Sequence, residues 1–580
     1  MIRKKASSVI ALSAAAALGL SACGGGTTAG DDTTSSDGAA AQGEKGGTLH
    51  YLTRRPTEHL DPQRSYVGRD LSNMSRLVYR KLVQFPVNKD DAIEAQTPIP
   101  DVATDTGTAE DGGKTWKFTL KEGVKWEDGK DTTCEDFKYG ISRVFATDVI
   151  TGGPSYGRLR LDIPQDKNGE SVYKGPYTKK GQAEFDKAVT CDGNVITYHF
   201  SEPWADFPLA VASLNDFAPY REDLDKGDKN NLKVISNGPY KLEGAWKTGS
   251  GGTFVRNDQY DPETDEGTRA ALPDKIVFTE GLENEIITDR LIAESGEDKN
   301  AITDRAIPPS AYSQIEGPIA ERATNLESPY TFYLVPNHDQ MKNKKVRQAL
   351  AAATDRAAYA AAMGGEKASK PSLSIVAPDV PGYTENPAFK DIPAEGDTAA
   401  AKKLLEESGE TMPYPIQYTY QGGTPTSDKA AAALKSGWDK AGFKTTLNPL
   451  TDTYYDVIQK PGQKWDVAQG GWGADWPSAA TVLPALFSSK ILTSSSNAEN
   501  YGRFINDEVD QLFADAAAEA DIEAANKIYA EADAKLGEEV AYIPLDIQMF
   551  YFLRGSGVTG YTQTAATSNF PDLGTIGVAK

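Results

Sequence analysis

The sequence is poor in the residues that build metal and thiol sites. Its 580 residues include only three cysteines and four histidines, so a histidine-based metal centre is not expected and no cofactor is predicted. Basic residues are the minority, with 61 Lys and Arg against 83 Asp and Glu and a formal net charge of −22. Nucleic-acid binding needs basic patches that neutralise phosphate groups. DNA and RNA are therefore not expected partners.

Long apolar runs are also missing, apart from residues 9–20 near the start. This run of 12 residues follows basic Arg3, Lys4 and Lys5. It is too short to span a bilayer but has the length of a secretion signal. The run ends in the letters LSAC, which resemble the lipobox of bacterial lipoproteins. We therefore expect residues 1–22 to be a signal peptide and Cys23 to be lipidated. The alternative is a plain secretory signal with a chance cysteine.

Residues 23–45 contain no large apolar side chain. Such a segment cannot form a core and predicts a flexible tether. Together with the lipobox, it places the globular part at the extracytoplasmic face of the cell membrane, attached by the lipid anchor only.

Two further cysteines, Cys134 and Cys191, lie in the globular part. An exported protein meets an oxidising environment, so a disulfide between them is expected. Closing a loop of nearly 60 residues would stabilise the fold by up to about 4 kcal/mol through loop-closure entropy. No histidine is close to Cys134 in the sequence, which argues against a nucleophilic cysteine.

Apolar periodicity predicts helices over residues 70–84 and 346–361. Helical and strand-like patterns alternate from about residue 399, which indicates a layered α/β domain. A strand is predicted over residues 465–468, just before the stretch GGWGADWP at residues 470–477. Glycines weaken a core strand, and tryptophans are unusual in a surface loop. This composition favours a wall where another molecule approaches the backbone closely.

The order of motifs resembles the extracellular solute-binding proteins of family 5, the oligopeptide- and dipeptide-binding components of ABC importers. The matching segments are spread over some 500 residues. They include GGTLHYL, LDP, NMSRLVYRKLV, SNGPYKLEGAW, NKKVRQALAAATDR, WDVAQGGWGADWP and NDEVDQLFADA.

The resemblance implies an α/β, periplasmic-binding-protein-like fold of class II (cluster C). It has two α/β lobes joined by a hinge, plus an additional family-specific domain. By this analogy the chain divides into domain I (46–92, 195–305 and 546–580), domain II (93–194) and domain III (306–545).

The implied function is that of a substrate-binding lipoprotein, a monomer that performs no catalysis. It would capture extracellular oligopeptides or dipeptides between its lobes and deliver them to the permease subunits of an ABC transporter. Two alternatives stay open at this point. The same fold could bind a non-peptide solute, such as an opine, a sugar or a metal chelate, or it could act as a peptide-signal receptor.

The resemblance also assigns ligand contacts in the tryptophan-rich stretch. Gly471 and Gly473 would let a ligand main chain pair with this segment, Trp472 would form a flat wall, and Asp475 would pair with the ligand's α-ammonium group. The alternatives are a helix cap for Asp475 and a core anchor for Trp472. Gln469 stands where some oligopeptide binders carry an arginine, and it cannot form a bidentate contact with a carboxylate.

Four more contacts are assigned to other domains. Tyr66, Val67 and Gly68 would pair with the ligand from the facing lobe, and Tyr156 would reach it from domain II. Tyr156 also lies in the sequence GPSYG at residues 153–157, which formally matches the G-x-S-x-G pattern of hydrolases. Glycines and proline stand where the strand of a nucleophile elbow is required. A secreted hydrolase is therefore only a further alternative.

Overall fold

The computed structural model describes residues 45–167 and 169–579. The predicted signal peptide, the Cys23 lipidation site and the tether up to residue 44 lie outside the described residues. Among the helices that are described, none is both long enough and apolar enough to cross a bilayer.

The strands of the described chain are β1 Thr48–Leu52, β2 Val83–Gln84, β3 Ile99–Pro100, β4 Thr108–Glu110, β5 Thr115–Thr119, β6 Val189–Asp192, β7 Val195–His199, β8 Tyr240–Lys247, β9 Gly251–Arg256, β10 Lys275–Thr279, β11 Ala301–Thr303, β12 Ala323–Pro336, β13 Ser369–Pro371, β14 Tyr414–Gln421, β15 Phe443–Leu450, β16 Val467–Gly473, β17 Ile543–Leu553, β18 Val558–Thr559 and β19 Gly577–Val578.

The α-helices are α1 Gly68–Leu77, α2 Ala92–Ala95, α3 Cys134–Arg143, α4 Tyr156–Arg160, α5 Gln182–Ala188, α6 Phe207–Ser213, α7 Asn284–Ala293, α8 Lys344–Ala353, α9 Arg356–Met363, α10 Thr398–Ser408, α11 Pro425–Ala441, α12 Tyr454–Ile458, α13 Leu483–Phe487, α14 Asp507–Ala518 and α15 Ile522–Glu538.

Three larger sheets organise these elements. A five-stranded sheet has the order β11-β1-β10-β9-β8, a four-stranded sheet the order β4-β5-β7-β6, and a six-stranded sheet the order β13-β17-β12-β16-β14-β15. Helices α8 to α15 contribute to the core around the six-stranded sheet. Mixed strands and helices of this kind agree with the predicted α/β class.

The six-stranded sheet positions the tryptophan-rich stretch. Strands β14 and β15 run parallel to each other, and β14 is also parallel to β16. Pairing between β14 and β16 is confined to Val467 and Ala468. From Gly470 to Gly473 the only paired neighbour of β16 in the described structure is β12. The second edge of this part of β16 is therefore open.

Two long strands, β12 and β17, pair with each other over most of their length. Their register is irregular between Glu327 and Thr331, where Pro329 and Tyr330 lie. This irregularity lies at the start of the part of β12 that also pairs with β16, which runs from Tyr330 to Pro336, and a second register shift follows between Phe332 and Tyr333.

The disulfide belongs to the four-stranded sheet. Cys134 begins α3 and Cys191 lies in β6; the two are bonded, with their Cα atoms 5.9 Å apart. The predicted bridge is therefore confirmed. It ties the helix to the sheet that it covers.

Three predicted elements have other bounds than expected. The helix predicted over 70–84 ends at Leu77. It does not continue because the amide of Arg80 donates to Asn237 Oδ1 at 2.8 Å instead of to a carbonyl of the preceding turn. The helix predicted over 346–361 is two helices, since Asp355 caps α9 by accepting from the Ala358 amide at 2.8 Å. The strand predicted over 465–468 instead extends through the glycines to Gly473.

The predicted division into domains stays a prediction, and two of its boundaries differ from sheet membership. Strand β7 begins at Val195 and pairs within the four-stranded sheet, although residue 195 was assigned to domain I. Strand β17 continues past residue 546 within the six-stranded sheet. Neither boundary coincides with a change in strand pairing.

Candidate ligand-binding site

Asp475 lies two residues after β16 and connects three distant segments of the chain. Its Oδ2 accepts a hydrogen bond from the hydroxyl of Tyr66 at 2.7 Å and another from the hydroxyl of Tyr156 at 2.5 Å. Tyr66 precedes α1, and Tyr156 is the first residue of α4. Three of the predicted site residues, far apart in the sequence, therefore meet at one carboxylate.

The carboxylate of Asp475 lacks a cationic partner among the described residues. Burial raises its pKa above the ordinary value of an aspartate, and the hydrogen bonds from Tyr156 and Tyr66 oppose that shift. A buried carboxylate that is not paired with a cation is costly. The arrangement is therefore suited to receive a positive charge from outside the chain.

The alternative role of Asp475 as a helix cap does not agree with the contacts. The short helical turn that follows is capped by Ser478, whose Oγ accepts from the Ala480 amide at 3.2 Å. The backbone amide of Asp475 donates to Thr481 Oγ1 at 3.1 Å. The side chain of Asp475 is thus left to the two tyrosines.

A cavity of about 620 Å³ lies beside this carboxylate. Six predicted residues line it, namely Tyr66, Gly68, Gly471, Trp472, Gly473 and Asp475. The volume is within the range of about 300–1,000 Å³ that is usual for small-molecule sites. Of the other predicted contacts, Val67 and Tyr156 do not line this cavity, and Gln469 lines a neighbouring one.

The open edge of β16 faces the cavity. Tyr454 donates its hydroxyl hydrogen to the carbonyl of Gln469, and the amide of Gln469 donates back to the same hydroxyl oxygen at 2.9 Å. Alternate residues of a strand direct their amide and carbonyl groups to the same edge. The corresponding groups of Gly471 and Gly473 therefore point away from β12, as those of Gln469 do.

The glycines of β16 are required by the neighbouring strand. Gly470, Gly471 and Gly473 lie opposite Tyr333, Phe332 and Tyr330, in that order. A Cβ atom on these glycines would come within 2.5, 2.8 and 2.6 Å of the respective aromatic rings. Each ring thus covers a glycine in a cross-strand pair, which is a reason that the sequence analysis did not foresee.

Two tryptophans frame this region in different ways. Trp472 is half-buried, lines the cavity and donates its indole N–H to the Thr481 carbonyl at 2.9 Å. Trp476 is only 2% exposed and donates to Asp206 Oδ2 at 2.5 Å. The ring of Trp476 packs edge-on against Tyr156, with 4.6 Å between centroids. Trp476 therefore anchors the loop, a role that the sequence analysis did not assign.

A second cavity of about 120 Å³ adjoins the first, and Phe332, Tyr455 and Gly471 line both. Its lining consists of aromatic and small side chains with Met363, Gln421 and Gln469, and no charged residue of the described chain lines it. Gln469 lies here and donates from Nε2 to the Tyr359 hydroxyl at 2.9 Å. This cavity opens where β14 and β16 separate, at the carboxyl ends of two parallel strands, a common place for ligand sites in α/β sheets.

Comparison with known proteins decides the family. The family model described as "Bacterial extracellular solute-binding proteins, family 5 Middle" matches residues 97–494, more than half of the chain. The chain belongs to this family. The resemblance inferred from the motifs is confirmed.

Individual relatives of this family 5 protein agree with that assignment. The periplasmic oligopeptide-binding protein OppA of Haemophilus influenzae is 26% identical over 453 residues, which is 74% of this chain and 77% of the relative. The probable deoxycholate-binding periplasmic protein YgiS of Escherichia coli is 24% identical over 458 residues, 78% of this chain and 80% of the relative.

A solved structure shows the same fold. The clavulanic acid biosynthesis oligopeptide binding protein 2 superposes with a TM-score of 0.84 at 24% identity, covering 93% of this chain and 97% of the other. The predicted periplasmic-binding-protein-like fold is therefore confirmed.

The facing segment of this family 5 protein is the start of a helix. The carbonyl of Val67 accepts from the amides of Asp70 at 2.8 Å and Leu71 at 2.9 Å, so it is already used by α1. The first amides of a helix have no partner within it. Gly68 lines the cavity, and a Cβ there would lie 2.8 Å from the hydroxyl of Tyr330.

Most of the positive charge around the main cavity of the solute-binding protein is neutralised. Arg76 pairs with Asp572 at 3.0 Å, and Arg269 pairs with Asp101 at 2.7 Å. The remaining arginine of the lining, Arg55, lies 4.0 Å from Glu58, beyond hydrogen-bond distance. The wall thus offers few free cations to an anionic ligand.

The sequence GPSYG of this family 5 protein does not form a nucleophile elbow. Ser155 immediately precedes the five-residue helix α4, and the described segment before it contains no strand. A Cβ on Gly153 would lie 1.9 Å from the Gln63 carbonyl, which explains this glycine by close backbone packing.

Proposed function

We propose that the protein captures short peptides outside the cell membrane and delivers them to the permease of an ABC importer. The single observation that carries the proposal is the buried carboxylate of Asp475 at the end of an open strand edge. A peptide with a free amino terminus supplies both features that this arrangement lacks, an ammonium group and a second strand.

The physical basis of capture is β-strand addition. Main-chain hydrogen bonds to Gly471 and Gly473 give affinity that does not depend on ligand side chains. Exclusion of water around Asp475 strengthens its attraction to the α-ammonium group. Trp472 offers a flat surface to a ligand side chain. Peptides of varied sequence would therefore share one mode of binding.

Closure over the peptide is a hinge motion of the lobes. The ligand favours the closed state because it touches Asp475 and Gly68, which lie in different parts of the chain. Strands β12 and β17, with the irregularity between Glu327 and Thr331, are the segment in which we expect the backbone to bend.

Attachment to the membrane through a lipid on Cys23 is part of the proposal. It is supported by the lipobox-like sequence and the polar segment that follows. A Cys23→Ser variant should be recovered in the soluble extracellular or periplasmic fraction, whereas the wild type should remain with membranes. Equal membrane recovery of both proteins would reject the anchor.

Native mass spectrometry of protein purified from its own host tests the ligand class. We expect a co-purified mass that matches one or more short peptides. A bound bile acid, opine, sugar or metal chelate would instead assign the site to a non-peptide solute. Isothermal titration calorimetry with trialanine is the second test, and a dissociation constant near micromolar, about −8 kcal/mol, would suit capture with release.

Whether captured peptide feeds import is a separate question for the genome and the cell. A permease encoded beside this protein, and loss of peptide uptake on its deletion, would support import. Intact uptake together with loss of a peptide response would favour a signal receptor.

A further inference from the structure

The open edge of β16 has a definite end. Within the described chain no strand pairs with Gly473 and Gly471 on this edge, whereas the amide and carbonyl of Gln469 are both bonded to the single hydroxyl of Tyr454. Beyond Gln469, Ala468 and Val467 are paired with β14. Only two residues of this edge are therefore available to a ligand.

Tyr454 is held firmly in this position. It is the first residue of α12, is 2% exposed and belongs to the core around the six-stranded sheet. Its ring packs edge-on against Tyr455, with 5.2 Å between centroids. The hydroxyl thus occupies the place that a peptide group of an added strand would take beside Gln469.

We propose that Tyr454 ends the pairing edge and that the site is built for tripeptides. The inference rests on the proposed function, in which Asp475 binds the α-ammonium group. Asp475 follows Gly473, so a ligand with its amino terminus there runs antiparallel to β16. Its first residue then lies opposite Gly473 and its third opposite Gly471, because hydrogen-bonded pairs alternate along antiparallel strands. A fifth residue would lie opposite Gln469, where both backbone groups are already bonded.

The affinity that main-chain hydrogen bonds to β16 provide should therefore stop increasing at the third residue of the peptide. Going from two residues to three adds the pair at Gly471, with two hydrogen bonds, which corresponds to about 10-fold or more in affinity. A fourth and a fifth residue add no hydrogen bond to β16. We expect their effect on the dissociation constant to be less than about 2-fold.

Calorimetric titration of the wild type with alanine peptides of two, three, four and five residues tests this directly. The expected result is a drop in the dissociation constant from dialanine to trialanine, followed by a plateau. A further drop of 10-fold or more up to pentaalanine would overturn the tripeptide inference while leaving peptide capture intact. Absence of binding at every length would remove the proposed function, and this inference with it.

A pair of variants identifies Tyr454 as the cause. Tyr454→Ala removes the ring and opens the edge, so pentaalanine should bind at least about 5-fold more tightly than trialanine. Tyr454→Phe removes the hydroxyl alone and frees the amide and carbonyl of Gln469, so it should lose part of the plateau, with pentaalanine binding about 2-fold or more tighter than trialanine. A folded Tyr454→Ala protein that retains the plateau would overturn the role of Tyr454. If that variant does not fold, the wild-type series decides the tripeptide limit, and a plateau fully retained in Tyr454→Phe would overturn the role of the hydroxyl.

Discussion

Replacing Asp475 by asparagine separates recognition of the ligand's amine from recognition of its main chain. The amide oxygen of the variant can still accept the hydrogen bonds that Tyr66 and Tyr156 donate at 2.7 and 2.5 Å. What the variant loses is the negative charge. Because the group is buried and has no cation of its own in the described structure, the ligand's ammonium is its expected counter-charge.

The burial of Asp475 determines how much affinity for a peptide with a free amino terminus the variant should lose. Removing one member of a buried, hydrogen-bonded charge pair costs about 2–5 kcal/mol. A value near 3 kcal/mol corresponds to an increase of about 100-fold in the dissociation constant. N-acetyl-trialanine carries no ammonium group, so its weaker binding should change little, by less than about 3-fold.

The assay is calorimetric titration of wild type and Asp475→Asn with trialanine and with its acetylated form. Tyr156→Phe is a matched control, since it removes one hydrogen bond to the carboxylate and keeps the charge; its effect should be about 10-fold or smaller. Equal losses for the free and acetylated peptides in Asp475→Asn would refute the amine-binding role.

The same variant tests the sign of the pH dependence. Burial raises the pKa of Asp475 above its ordinary value, and only the ionised carboxylate attracts an ammonium group. The affinity of the wild type for trialanine should therefore be highest at neutral pH, where Asp475 is ionised. It should be lost as the pH falls through the raised pKa, at a higher pH than for an exposed aspartate. Asp475→Asn should lack this pH dependence.

Three further predictions concern stability and side-chain preference. Replacing Cys134 and Cys191 by serine should lower the thermal unfolding midpoint by an amount equivalent to up to about 4 kcal/mol; a midpoint equal to that of the oxidised wild type would contradict a stabilising bridge. Asp546 is 2% exposed, its Oδ1 has no hydrogen-bond partner among the residues that the structure describes, and burial raises its pKa to about 7. The pKa of an aspartate in the unfolded chain is near 3.9, so ionisation of Asp546 opposes folding increasingly from about pH 4 to 7. Asp546→Asn should therefore raise the free energy of unfolding, measured in urea, by about 2–4 kcal/mol at pH 8 and by much less at pH 5. Because no charged residue lines the second cavity beside Gly471, Ala-Ala-Leu should bind about 10-fold more tightly than Ala-Ala-Asp, and similar affinities would show that the third side chain lies elsewhere.

Local patterns in the sequence predicted helices near residues 70–84 and 346–361 but not where these helices end. The periodic segment 70–84 continues to look helical because its later residues are buried as well, yet Arg80 is bonded to Asn237, which is 157 residues away. The break before α9 had a local signal, since Asp355 is a good capping residue at the start of a helix. The first error came from a tertiary contact and the second from an overlooked cap.

The candidate site shows the same contrast between what local sequence signals predict and what depends on tertiary contacts. The composition of the tryptophan-rich stretch indicated a ligand wall, and the family resemblance selected Asp475, Tyr66 and Tyr156. No spacing rule could have shown that these side chains meet, because Tyr66 and Asp475 are 409 residues apart. The occupation of the Gln469 backbone by Tyr454 was also invisible, since it depends on how α12 packs against β16.

The pairing of glycines in β16 with rings in β12 constrains how ligand preference can diverge in this protein. Adding a side chain at Gly471 would displace Phe332, and adding one at Gly473 would displace Tyr330. A substitution at one of these β16 glycines therefore needs a compensating substitution in β12. Selection should remove single substitutions at the glycines. Positions whose side chains face the cavities without a covering ring on β12 can change one at a time; at Gln469 such a change gives up the hydrogen bond to the Tyr359 hydroxyl. New preferences should therefore evolve there, while the edge that holds the main chain is inherited unchanged.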